Sequence, residues 1–150
     1  MQLRNFVGIG IIAVIALVGF LFRDVLSGQA ADLKVGDCFI LPPADQTEVD
    51  EVKHERCTDD HQAEVFFVGD YPGSGSDPFP NDDQLSAFID QNCLAAFNAY
   101  TGEDYDTWEE MDFSAFTPTA EGWSDGDQEI TCFLFRVDLA NFKGSLKAGN

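Results

Sequence analysis

Residues 63–102 read AEVFFVGDY, PGSGSDPFP and NDDQLSAFIDQNCLAAFNAYTG, three pieces with three different periodicities. The first, Ala63 to Tyr71, is rich in Val and Phe and is halted by Pro72-Gly73, which predicts a strand. The second, 72–80, is built from Pro, Gly, Ser and Asp and predicts a loop. The third predicts a helix. Its apolar residues recur at Leu85, Phe88, Ile89, Cys93, Ala96, Phe97 and Tyr100, the spacing of one helical face. Asn81, with Gln84 three residues later, has the spacing of a reciprocal N-terminal cap. Asp82 and Asp83 suit the positive end of the helix dipole, and Gly102 supplies a stop.

Downstream, Ile130 to Val137 (ITCFLFRV) predicts a second strong strand, and a short strand or turn is expected near Phe113 to Thr117. Between them, Pro118 to Asp127 reads as a connecting loop. Upstream, Cys38 to Leu41 predicts a first strand, stopped by Pro42-Pro43. Glu48 to Glu55, with only Val49 and Val52 apolar, suits an edge strand or an extended loop. Phe66, Phe67, Phe88, Phe97, Phe133 and Phe135 are assigned to the core. Strands before and after a single helix give an α+β fold, a small antiparallel sheet packed by one long amphipathic helix.

The chain begins differently. Residues 5–22 contain no charge, between Arg4 and Arg23, and have no polar face. As a helix they would span about 27 Å, close to the thickness of a bilayer core. Residues 1–23 are therefore read as an uncleaved N-terminal transmembrane signal-anchor, inserted in the cytoplasmic membrane through residues 5–22. Residues 24–32 form a juxtamembrane linker and 33–147 an exported domain. A cytoplasmic N-terminus and an extracytoplasmic domain on a single-pass protein are expected. Cleavage after Gly28-Gln29-Ala30, giving a secreted form, is the competing reading.

All four cysteines, Cys38, Cys57, Cys93 and Cys132, lie beyond the apolar run, and an even number in a small exported domain reads as two disulfides. Three connectivities are open. The preferred one is Cys38–Cys57, closing a loop across an N-terminal pair of strands, with Cys93–Cys132 tying the helix to a late strand. A zinc site from His54, Cys57 and His61 is the competitor, but a disulfide sulfur is not a thiolate ligand. His61 is read instead as a structural hydrogen-bonding residue at a strand entrance, and no metal or other cofactor is expected.

Several short motifs occur in a fixed order. Gly36-Asp37-Cys38-Phe39 is followed by Cys57 and then His61-x-Ala63-Glu64-Val65. Next come Cys93-x-x-x-Phe97-x-x-Tyr100-x-Gly102 and Pro118-Thr119-x-x-x-Trp123-x-x-Gly126-Asp127. Thr131-Cys132 and Gly144-Ser145-Leu146 close the series. Together, over roughly 33–147, they resemble the septum formation family of bacterial, mainly actinobacterial, envelope proteins. Asp60 stands where that pattern has proline, and Phe116 where an aromatic, often tryptophan, is usual. The resemblance implies a membrane-anchored exported domain linked to division, with paired cysteines.

The charge is strongly acidic, 27 Asp and Glu against 8 Lys and Arg for a net of -19. That excludes a nucleic-acid partner, which needs a basic footprint. The 26 acids in residues 32–150 make any chosen carboxylate pair uninformative. Asp104-x-Asp106 and Asp125-x-Asp127-x-Glu129 alternate acids without matching a calcium loop. No catalytic residue is assigned. Trp108 and Trp123 lie in irregular acidic segments: Trp123 is read as capping the core, Trp108 as the better contact residue, with His61 the third candidate. The expected function is a membrane-anchored binding or scaffold module that contacts envelope or division proteins. The alternative is an envelope hydrolase or metal-dependent enzyme using His61 and nearby acids.

Overall fold

The computed structural model describes residues 28–46 and 48–149. The transmembrane segment expected over 5–22 lies outside the described residues. Among those described, no helix is long and apolar enough to cross a membrane.

Among the described residues, six strands and two α-helices follow one another. They are β1 (Gly28–Gln29), β2 (Cys38–Ile40), β3 (Glu51–Glu55), β4 (Ala63–Asp70), α1 (Asp82–Thr101), β5 (Met111–Phe116), α2 (Ala120–Asp125) and β6 (Glu129–Arg136). The strands form one sheet in the order β1-β3-β2-β4-β6-β5, every neighbouring pair antiparallel. The α+β architecture and the long helix agree with the sequence reading.

α1 begins and ends as its residues dictate. The Asn81 side chain accepts from the Gln84 N–H while the Gln84 side chain accepts from the Asn81 N–H, both at 3.0 Å. Gly102 closes the helix at φ 74°, a left-handed conformation in which a side chain would be strained.

Three expectations are corrected. β3 is not an edge strand, because β1 pairs along its outer side, Gly28 opposite Val52 and Gln29 opposite Glu51. Two residues suffice to move the edge, and they are too short to be read as a strand from sequence. The segment 118–127 is not all loop but contains α2, a second, shorter helix. Thr119 caps it by accepting from the Gly122 N–H at 3.0 Å, Gly126 ends it at φ 100°, and Trp123 anchors it in the interior. Finally, β5 starts two residues earlier than expected, since Met111 is buried against the sheet's helix side.

The two faces of the sheet take alternate residues. On β6, Ile130, Cys132 and Leu134 join α1 residues Leu85, Cys93, Phe97 and Tyr100 in one core. Phe133 points the other way, packing with Phe39, Ala63, Val65 and Leu33. A bulge in β4 between Val65 and Phe67 interrupts the alternation. It lets Phe66 and Phe67 both pack on the helix side while Val65 and Val68 stay on the other.

Both disulfides form in the preferred connectivity. Cys38–Cys57 has Cα atoms 5.3 Å apart and encloses a short loop; Cys93–Cys132, with Cα atoms 6.1 Å apart, ties α1 to β6. From loop length alone they restrict the unfolded chain by about 3 and about 4 kcal/mol respectively.

Candidate functional site

The family-like motifs, scattered along the chain, meet in the interior. Glu64 on β4 is completely buried. Its carboxylate accepts from the Tyr100 hydroxyl of α1 at 2.6 Å, from the Ser145 hydroxyl, and from the Leu146 N–H at 2.8 Å. Three donors compensate a carboxylate taken out of water. Burial, and then the carboxylate of Glu64, push the Tyr100 phenol well above the ordinary tyrosine range, so it stays a donor. The network clasps β4, α1 and the C-terminal segment together.

His61 performs a similar task next to it. Also wholly buried, it makes a hydrogen bond through Nδ1 with the Asp59 carbonyl at 2.9 Å. Its ring lies edge-on to Phe142, 4.2 Å between centroids, and the two backbones bridge reciprocally at 3.1 and 2.9 Å. Nε2 has no partner among the described residues, and neither has Nε2 of His54. The cysteine nearest in sequence, Cys57, is consumed by Cys38. Glu64 lies close to that disulfide, but with both sulfurs oxidised the three atoms are not a thiolate site.

The two tryptophans sit in different surroundings. Trp123 is 2% exposed, donates from Nε1 to the Asp77 carbonyl at 2.9 Å and meets Tyr71 and Phe79 edge-on, so it seals the 72–80 loop onto the body. Trp108 is half-buried, its ring 6.0 Å from that of Phe97 at the helix-side core. Glu64 sits beside the Cys38–Cys57 disulfide, whereas Trp123 packs against Tyr71 and Phe79 and Trp108 against Phe97.

What is left open is the other face of the sheet. With α1 on one side, a groove of about 1040 Å³ runs across the opposite side. Its floor is aromatic. Phe116 and Phe133 lie 4.7 Å apart, Phe133 and Phe135 6.2 Å, and Phe39 closes the cluster from below at 5.3 Å from Phe133. Phe116 and Phe135 remain partly exposed. Leu41, Pro42 and Pro43 form one wall, and α2 with the Thr117–Thr119 turn forms part of the other.

The rim is acidic. Glu48, Asp50, Glu121, Asp125, Asp127 and Glu129 line the groove, and among the described residues no Lys, Arg or His does. Glu129 is the deepest of these carboxylates chemically. Partial burial raises its affinity for a proton, and the charges of Asp127, Asp70 and Asp32 raise it further. The Thr131 hydroxyl, 3.1 Å away, opposes them. The alternating acids 125, 127 and 129 thus border a groove. Asp127 turns back to accept from the Glu129 N–H at 3.0 Å, as Asp104 does from the Asp106 N–H at 3.1 Å.

Phe116, Phe133 and Phe135 were not among the sequence-derived contact residues. Phe133 and Phe135 were assigned to the core, which is half right: Phe133 is buried but floors the groove. A signal existed. Within β6 the run Ile130–Phe135 is apolar at every position but Thr131, the pattern of a strand covered on both faces, yet among the described residues one long helix is available to cover it.

A family model described as Septum formation matches residues 27–146, and the chain belongs to that family. No curated protein and no solved structure matches it.

Proposed function

We propose that this septum formation protein is a membrane-anchored, extracytoplasmic binding module that works at the division site through its helix-free sheet face. The observation that carries the reading is the open groove itself. An aromatic floor of this size, left uncovered in a domain with two disulfides, is the kind of surface that docks a partner. Two further features support the placement. The uncharged run 5–22 has the length of a membrane anchor. Both disulfides fit an oxidising compartment outside the cytoplasm.

Binding fits the residues better than catalysis does. The groove offers carboxylates and hydroxyls but neither histidine nor thiol to activate a nucleophile. The alternative, a hydrolase using His61, has its ring sealed beneath Phe142 and away from solvent.

The test is a fluorescent fusion, with a reporter that folds outside the cytoplasm placed after Asn150, imaged in dividing cells. Enrichment at midcell before constriction is expected, and a Phe116→Ser/Phe135→Ser pair should lose that enrichment while keeping the membrane signal. A signal evenly spread over the membrane in the unaltered protein would overturn the division role. Release of the reporter into the medium would overturn the anchor.

A further inference from the structure

Resting on the reading of the groove as a docking site, we infer that its occupant is a cationic polypeptide segment carrying apolar side chains. Two independent properties of the surface select that chemistry. The floor of Phe116, Phe133 and Phe135, with Leu41 beside it, demands apolar or aromatic groups that fill the spaces between rings. Among the described residues the rim presents six carboxylates and no basic residue. An anionic or neutral ligand would leave these charges uncompensated, whereas Lys or Arg side chains would pair with them and lay their alkyl stems on the Phe faces.

Leu139 also lines the groove. It is 54% exposed and, among the described residues, is the one non-glycine residue with a left-handed backbone, at φ 57°. A strained, solvent-facing leucine on the rim is an apolar contact offered outward.

The position of the groove limits where the segment comes from. Ala30 and Ala31 belong to its wall. The chain from Arg23 to Ala30 can extend no more than about 27 Å. If residues 5–22 sit in the membrane, the groove is held close to the membrane surface, within reach of a segment next to another protein's anchor.

The test uses the full chain in nanodiscs and a synthetic peptide alternating Arg with Phe and Leu, with fluorescence anisotropy as the readout. Two neutralised variants carry the same net charge. One alters the rim: Glu48→Gln, Asp50→Asn, Glu121→Gln and Asp125→Asn. The other alters exposed acids on and after α1, away from the groove: Asp83→Asn, Asp90→Asn, Glu103→Gln and Glu109→Gln. The rim set should weaken binding about tenfold or more, equivalent to about 1.4 kcal/mol, and the remote set less than threefold. Leu139→Ser, an exposed change that leaves the fold intact, should weaken it about threefold. Equal losses from the two charge sets would mean diffuse attraction to an acidic protein and overturn the inference. So would full affinity in Phe116→Ala/Phe135→Ala, or a groove that takes uncharged glycan strands and not the peptide. Midcell enrichment without peptide binding would reject the occupant alone; loss of midcell enrichment would reject the docking role beneath it.

Discussion

The two faces of one sheet have opposite fates in this protein. The face toward α1 is closed by a 20-residue helix, crossed by Cys93–Cys132, and clasped to the C-terminal segment through Glu64. The face away from α1 has the same kind of floor, phenylalanine against phenylalanine, but among the described residues it receives only short pieces: the Ala30–Asp32 turn, Leu33, the loop after Leu41, and α2 with the turn before it. Both faces are apolar; they differ in what the chain has to lay across them. Among the described residues the one long helix lies where the disulfide holds it, and the other face is left with the groove.

The sharpest break in that comparison comes from cutting one aromatic ring on each side. Phe97 is fully enclosed, so Phe97→Ala should cost about 4 kcal/mol in chemical unfolding. Phe135, half-open on the groove, should cost about 1 kcal/mol as Phe135→Ala. Equal costs would mean that the second face is as closed as the first.

The clasp ranks next. Glu64→Ala strands the buried Tyr100 hydroxyl and the Leu146 N–H, and a loss of about 3 kcal/mol is expected. Hydrogen exchange should show the segment after Phe142 opening first. If its amides keep their protection, the clasp is not what holds the C-terminal segment.

Ionisation offers a finer probe. On the closed side, the hydrogen bond from the Tyr105 hydroxyl to Asp112, at 2.7 Å, is the main cause that pushes the phenol up to about 12; burial adds to it. A tyrosine raised in the folded state contributes stability below its unfolded value near 10 and loses it as pH climbs to about 12. In Asp112→Asn, ultraviolet titration should bring Tyr105 back toward 10. On the open side Glu129 is raised instead, so its contribution is present at acid pH and is lost as pH rises through its folded value. Glu129→Gln should therefore raise the thermal midpoint slightly at neutral pH, and the gain should vanish below the ordinary glutamate value of 4.5. A loss of stability at neutral pH would show that the ionised carboxylate is compensated on this face.

Much of this was legible beforehand, for a physical reason that differs by feature. Caps, the helical stripe and the strand runs are short-range: Asn81 with Gln84, and Gly102, act within a turn of where they stand. The disulfide partners could be chosen because they join elements already recognisable. The family motifs were legible as a pattern, but their meaning was not. Glu64, Tyr100 and Ser145 are separated by 36 and 45 residues, and only their meeting around one carboxylate shows that they serve the scaffold. The pattern therefore led away from the groove, whose aromatic residues stand mostly outside it.

The amino-acid sequence by itself determined the long helix, the main strands, the count of cysteines beyond the apolar run, the acidic surface and the apolar run itself. Tertiary structure decided which face of the sheet is sealed. That choice depends on β6 settling between β4 and β5, with alternate residues sent to opposite sides, and on α1 being drawn to the Cys132 side by Cys93. Neither is encoded within any stretch as short as a helix turn or a strand. The same apolar strand would read alike with both faces covered, and only the packed chain shows that the described residues leave part of one face uncovered.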